Sequence, residues 1–348
     1  MEHISISVGD RVDSVDDPSS MQSPGASGLF ASRLFHALRK VKITVDSTSL
    51  RTLNAFVRSI QSPHVHVLTV RTSSHNAASP CDFQELLRAI GSLPSQEILK
   101  YISIDVDFKV DDPRISQLPV PRDLLAMVDP RFRIEPTQAL SDDAFIPLYD
   151  FKNLDYLYIA TSFPVLVTDT TIATMTSKWP GLRRLQLHRL QSPENTSLVT
   201  RAGLLSLAHR CKQLVTIGLH IDLDSGCVDD ILMKELSMRV VDIYDAEIVI
   251  LHVGDSSRMA NPLSASAFLS HLFPTMEEVL GNWPYYSADD TARMLEALGG
   301  HDIVAHILEH TAERRRPWEY AIKHLLPSFT RVREQERSLP VEIATRSG

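Results

Sequence analysis

One pattern constrains this chain more than any other: an apolar residue, two arbitrary residues, an apolar residue, one arbitrary residue and a third apolar residue. It recurs as Leu38/Val41/Ile43, Val65/Leu68/Val70, Leu99/Ile102/Ile104, Leu154/Leu157/Ile159, Leu182/Leu185/Leu187, Leu214/Ile217/Leu219 and Ile248/Leu251/Val253, with a weaker copy starting at Met276. Successive copies start 27, 34, 55, 28, 32, 34 and 28 residues apart. Self-similarity at such a period is the signature of a repeat architecture, in which each unit stacks on its neighbours. The last two apolar positions of a copy are two apart, which in extended chain puts both on one face and the residue between them on the other. Each copy is therefore read as a short strand.

Helical patterns follow several strands: LRTLNAFVRSI after Val45, FQELLRAIG after Val70 and TIATMTSKW after Ile159. Residues suited to capping precede helices, with Asp169 and Thr170 before one, Thr200 before AGLLSLAHRC and Ser264 before ASAFLSHLF. Strand, turn and helix form the unit, and parallel stacking gives it a continuous core. The expected fold class is α/β, a leucine-rich-repeat solenoid with a curved parallel sheet on its concave side and helices on its convex side. A doubly wound sheet also alternates strands and helices, but with both faces covered its strands read as near-continuous apolar runs. Here the outward positions include Lys40, Lys42, Thr44, Arg71, Tyr101, Asp105, Tyr156, Tyr158, Arg184, Gln186, His188 and His220, so one face is expected to be wet.

The repeats are expected over residues 29–286. Within them, residues 110–150 hold several prolines and no clean copy of the pattern, and read as an irregular insertion or a degenerate repeat. Residues 287–337 (DDTARMLEALGG, HDIVAHILEHTAERR, PWEYAIKHLLPSF) read as a helical C-terminal cap over apolar surface at the end of the array. Residues 1–28, rich in Ser, Asp, Pro and Gly, read as a disordered tail, and 338–348 as a second tail.

Composition narrows the function. Hydrophobic residues make up 43% of the chain, enough for a sizeable core, and the formal net charge of −8 argues against a duplex nucleic-acid binder. The three cysteines, Cys81, Cys211 and Cys227, lack CxxC or framework spacing and are expected as reduced thiols. The acidic N-terminus lacks the features of a signal peptide, and no apolar run reaches membrane-spanning length. An intracellular location, cytoplasmic or nuclear, with no membrane and no nucleic-acid partner, is the expectation.

The segment Thr200 to Leu219, in which a helix leads to Cys211 and then to Leu214, Ile217 and Leu219, resembles the cysteine-containing leucine-rich repeat of F-box proteins. Its predecessor, from Thr168 through Trp179, Pro180 and Leu182 to Leu187, resembles the same unit with Trp in place of Cys. With FLSHLFP (268–274) and LPSFTRVREQER (326–337), the chain is similar over about residues 29–337 to the repeat portion of the F-box-like proteins of mushroom-forming fungi. The resemblance implies a substrate-recognition subunit of an SCF-type ubiquitin ligase, with Cys211 and the apolar ladder as core. Members carry an F-box that docks a Skp-type adaptor; no leucine-rich three-helix segment with a leading Leu-Pro precedes LFHALRKVKITV, so the F-box is expected to be missing and the adaptor is in question.

The sequence holds no GxxxxGK[ST], GxGxxG, HExxH or GxSxG, which removes the direct phosphate-loop, dinucleotide, zinc-protease and serine-hydrolase readings. Asp105/Asp107 and Asp222/Asp224 have the DxD spacing of metal-holding transferases but fit polar turns at strand ends better. His64/His66 and His306/His310 lack a third ligand, Cys211 beside His209 reads as a buried apolar residue, and Arg314 to Arg316 as a solvated helix end. No catalytic residue, cofactor or metal is assigned. The expectation is a non-catalytic scaffold that binds a protein through Tyr101, Asp105, Tyr156, Tyr158, Arg184, Gln186, His188 and His220, because Tyr and Arg join large contact area to a polar handle. The alternatives are an enzyme on the same strand-helix scaffold, small-molecule or metal-dependent, and a shortened family remnant without activity.

Overall fold

In the computed structural model, residues 3–8, 37–46, 50–74, 80–108, 139–161, 165–187, 199–224, 248, 250–254, 257–281, 288–298 and 301–338 are described. Nine parallel strands form one open sheet in strict sequence order: β1 (His3–Val8), β2 (Lys40–Asp46), β3 (Val67–Ser74), β4 (Tyr101–Phe108), β5 (Tyr156–Thr161), β6 (Arg184–Leu187), β7 (Thr216–Leu219), β8 (Ile250–Val253) and β9 (Glu278–Gly281). A doubly wound sheet reverses its strand order at a switch point. This order runs one way from β1 to β9, consistent with a leucine-rich-repeat-like solenoid.

The strand register explains why the repeated pattern is so regular. Val41, Leu68, Ile102, Leu157, Leu185, Ile217, Leu251 and Val279 are successive partners across eight strands, with no slip. A slip of one residue would send a strand's apolar set to the other face, so burial of one face fixes the alignment. All three apolar residues of each of the seven full copies are buried.

Crossovers cover that face with α1 (Leu50–Arg58), α2 (Pro80–Gly91), α3 (Asp169–Lys178), α4 (Arg201–Arg210) and α5 (Pro262–Leu272), and with a 3-10 helix at Asp142–Leu148. The helices pack side by side, α1 on α2, α2 on the 3-10 helix and α3 on α4. In α1 the buried residues Leu50, Leu53, Asn54 and Val57 follow helical spacing, which presents one stripe to the sheet. Then follow α6 (Ala288–Leu298), α7 (His301–Tyr320), a π turn (Ala321–Leu325) and α8 (Leu326–Ser338). Helix α8 packs on α5, and the buried Trp318 indole of α7 donates to the Ser257 carbonyl at 3.3 Å, which ties this helical segment to the loop after β8. Among the described residues, no helix is long and apolar enough to cross a membrane.

Three expectations change. Residues 3–8 fall in the segment read as a disordered tail, yet His3–Val8 pair in parallel with β2, Ile4 opposite Val41 and Ile6 opposite Ile43. Ile4, Ile6 and Val8 alternate with polar residues, and the exposed edge of β2 offers them a full set of backbone partners. The 55-residue interval adds no strand, since β4 and β5 are hydrogen-bonded neighbours. Of its residues 110–150, those from 139 on supply the 3-10 helix, and 110–138 lie outside the described residues. Finally, the caps shift. Helix α3 is capped by Thr168, whose hydroxyl accepts from Thr171 N at 3.1 Å, and α5 by Asn261, with Pro262 at its first position; Thr200 caps α4 as expected.

Candidate functional site

Alternation along each strand leaves a second face, turned away from the helices. Its first row runs Lys40, Val67, Tyr101, Tyr156, Arg184, Thr216, Ile250 and Glu278 across β2 to β9. Its second row runs Lys42, Thr69, Ser103, Tyr158, Gln186, Gly218, His252 and Leu280 in the same order. Residues in one row sit on neighbouring strands about 4.8 Å apart, a spacing that suits stacked rings.

Tyr101 and Tyr156 use it. Their ring centroids are 3.9 Å apart and their planes 12° from parallel, and the Arg184 guanidinium lies 5.4 Å from the Tyr156 centroid. Stacked aromatic pairs contribute about 0.5–1.5 kcal/mol beyond burial, and an accessible cation–π contact about 0.5–1 kcal/mol. The three side chains form one continuous array on β4, β5 and β6. Burial pushes the Tyr156 phenol up to about 12; its hydrogen bond with Tyr101 and the neighbouring phenol add to the rise, and the Arg184 charge opposes it. Tyr156 is therefore a neutral hydrogen-bonding group at any physiological pH.

Of the other residues expected on this face, Tyr158 is half-buried in the second row, beside Gln186. Asp105 is half-buried, opposite Arg71 on β3 and Ala160 on β5. Gln186 and His220 do not belong to the accessible face, being 4% and 7% exposed. Gln186 is flanked in register by Tyr158, and His220 follows the last residue of β7 and packs its ring against Gly254. His188 lies outside the described residues.

One residue of this face escaped the sequence reading. His252 on β8 is half-exposed in the second row, and burial lowers its imidazole, with a further lowering from Arg184 and an opposing pull from Glu278. In register Gly218 lies between Gln186 and His252, and Thr216 is the β7 partner of Arg184. The signal was present in sequence as the second-row position of the seventh copy, two residues after Ile250.

The weaker chemical motifs have structural explanations or no third partner. Asp222 is buried and accepts from Asp224 N at 2.9 Å, while Asp224 accepts from Ala260 N at 2.6 Å, so this pair holds backbone. Cys211 is buried and burial raises its thiol to about 12. Among the described residues no group of three or more His, Cys, Asp or Glu side chains could hold a metal ion.

Together these features define an open, parallel strand-helix repeat protein with an aromatic and cationic sheet face. No family model matches the chain, and no curated protein matches it. Among solved structures, the crystal structure of the yeast Rad7 and Elc1 complex is similar over 73% of this chain and 73% of that chain, at 10% identity and a TM-score of 0.27. A score that low does not establish a shared fold.

Proposed function

We propose that this chain is a non-catalytic scaffold that binds a protein partner through the sheet face centred on Tyr101, Tyr156 and Arg184. The observation that carries the reading is their side-by-side array, two stacked rings and a guanidinium on three adjacent strands. Tyr and Arg side chains are enriched at interface hot spots because they join large contact area to a polar handle, and here the stacking orders them before a partner arrives. The resemblance to F-box-like repeat proteins makes the finer role a substrate-recognition subunit of an SCF-type ubiquitin ligase, with a Skp-type adaptor as second partner.

The test is affinity capture of the full chain from its native lysate beside a Tyr156→Ala, Tyr158→Ala, Arg184→Ala variant, with bound proteins identified by mass spectrometry. The three residues lie on the face away from the helix-covered core, so circular dichroism is expected to be retained and Tm to fall only by the lost stacking and cation–π contacts. Partners captured by the wild type and lost by the variant support the scaffold reading; an adaptor or cullin among the retained proteins supports ligase attachment. Equal capture by both baits removes this face from the interaction.

A further inference from the structure

We propose that copies of this chain associate head to tail, β1 of one copy adding in parallel to the open edge of β9 of another, so that their nine-stranded sheets run on as one. The contact lies at the edges of the sheet, apart from the face assigned to the protein partner.

The two edges have matching backbones. Among the described residues no strand pairs with the outer side of β1 or of β9. Edge strands are commonly blunted by shortening, by Lys or by Pro. Here β9 has the same four-residue length as β6, β7 and β8, and neither β1 nor β9 contains Lys or Pro. From β3 to β8, the first residue of each strand donates its N–H to the preceding strand, at the carbonyl just before its register partner, as Val67 does to Arg39 and Ile250 to Val215. The alternation of a parallel ladder then turns the N–H groups of Val279 and Gly281 away from β8. His3, as the first residue of β1, has the matching outward N–H, and in the joined sheet it donates to the Glu277 carbonyl.

That register continues the ladder. It sets Ile4 beside Val279, the row position that Ile4 shares with Val41 within a copy, and His3 beside Glu278. It also keeps the order of elements, since the described chain begins with β1 and ends with helices, whose Trp318, Ala321 and Leu326 join the continuous core. Charge gives the direction. Exposed Glu277 and Glu278 stand at the β9 end, and exposed Arg39, Lys40 and Lys42 at the β1–β2 end, where Asp46 lies beyond the reach of the four-residue β9 register. Opposite charges on adjoining strands attract and like charges repel, so β9 meets β1 more favourably than it meets a second β9. Four residues per strand make a small contact, which keeps the association weak and dependent on concentration. A head-to-tail contact that does not close leaves one free edge at each end and lets the assembly extend.

The test is sedimentation velocity of the full chain as its concentration is raised to about 100 µM, where weak contacts become populated. The wild type is expected to sediment faster as concentration rises and to return toward monomer as salt rises. Ser5→Pro and Val279→Pro each remove an outward N–H at an edge position, where Pro is tolerated. Each variant alone is expected to stay monomeric. Their equimolar mixture is expected to form a dimer that does not extend, because only one β1 and one β9 remain able to pair. Glu278→Lys, a change at an exposed position that leaves the backbone alone, is expected to weaken association about tenfold and keeps the test decisive where circular dichroism shows a Pro variant unfolded. A wild type that stays monomeric throughout, a mixture that stays monomeric, or undiminished association in Glu278→Lys would overturn the proposal. So would a single folded Pro variant that still dimerises, the mark of pairing between like edges. Association lost in the Tyr156→Ala, Tyr158→Ala, Arg184→Ala variant would move the contact to the sheet face and overturn the edge assignment.

Discussion

The Cys211 thiol donates to the backbone carbonyl of Trp179, 3.4 Å away. Both residues close helices, Trp179 at the end of α3 and Cys211 at the end of α4, and Phe273 closes α5 with nearly the same backbone angles. All three are buried, so three repeats fill one equivalent position with indole, thiol and phenyl. The position demands apolar volume at the helix end and leaves its chemistry free, which is why Trp can stand where a neighbouring repeat has Cys.

Burial raises the Cys211 thiol to about 12, whereas Cys81 is exposed. The thiolate is the reactive form, so at neutral pH iodoacetamide is expected to modify Cys81 in the native chain and to leave Cys211 unmodified until the chain unfolds. Peptide mapping by mass spectrometry reads the difference directly. Native-state modification of Cys211 at a rate comparable with Cys81 would contradict its burial.

Asp169 accepts from the Thr200 N–H at 2.8 Å and from its hydroxyl at 2.6 Å, just as Asp142 accepts from Thr168 N at 3.3 Å and its hydroxyl at 2.9 Å. Each carboxylate thus clamps the N-cap residue of the next repeat's helix. Asp169→Ala is expected to lower stability by about 1–3 kcal/mol, and Asp169→Asn by less, measured as a lower urea midpoint at unchanged slope.

The same clamp reverses an expectation from helix propensity. Ala in place of a helical Gly ordinarily gains about 1 kcal/mol, but a Cβ on Gly203 would stand 2.5 Å from the Asp169 carboxylate and 3.0 Å from Val199. Gly203→Ala is therefore expected to destabilise the fold in urea unfolding. Combining it with Asp169→Ala should cost less than the sum of the two, since the clash then has no target.

At Gly254 an added Cβ would fall inside the His220 ring, so Gly254→Ala must displace an imidazole that is 7% exposed. The expected loss is about 1–3 kcal/mol, the range for overpacking a filled site. His220→Ala in the same chain should recover part of it, read from Tm of the single and double variants.

His252 has an imidazole lowered from 6.5, chiefly by burial and then by Arg184. Below its unfolded value the unfolded chain binds a proton that the folded chain resists, so stability falls as pH drops from about 6.5 toward the lower folded value. A His252→Gln variant is expected to lose less stability than wild type between pH 7 and pH 5, and Arg184→Ala to raise the His252 titration midpoint followed by NMR. An unchanged midpoint would show that Arg184 exerts no field there.

The strand ladder was legible in the sequence because its pattern has two fixed offsets and a period of two, and burial of one face tolerates no slip. Val41 through Val279 therefore align as read. Capping was less legible: Thr168, Asp169 and Thr170 are all suitable by type, and what separates them is that Asp169 is engaged by Thr200 of the next repeat. Strand β1 carries the same offsets at Met1, Ile4 and Ile6, but a long polar stretch rich in Ser, Asp, Pro and Gly separates it from the next copy, and pairing with β2 is what reveals it.

The sequence by itself determined which residues enter the core and which strands lie next to each other, since apolar periodicity and chain order act locally. Only the tertiary structure decided which outward residues form a surface. Register brought Tyr101, Tyr156 and Arg184 into one row, neighbours buried Gln186 and His220, and the sheet brought His252 within the field of Arg184. Those outcomes depend on residues 28 to 68 positions apart meeting across strands, and no local pattern records them.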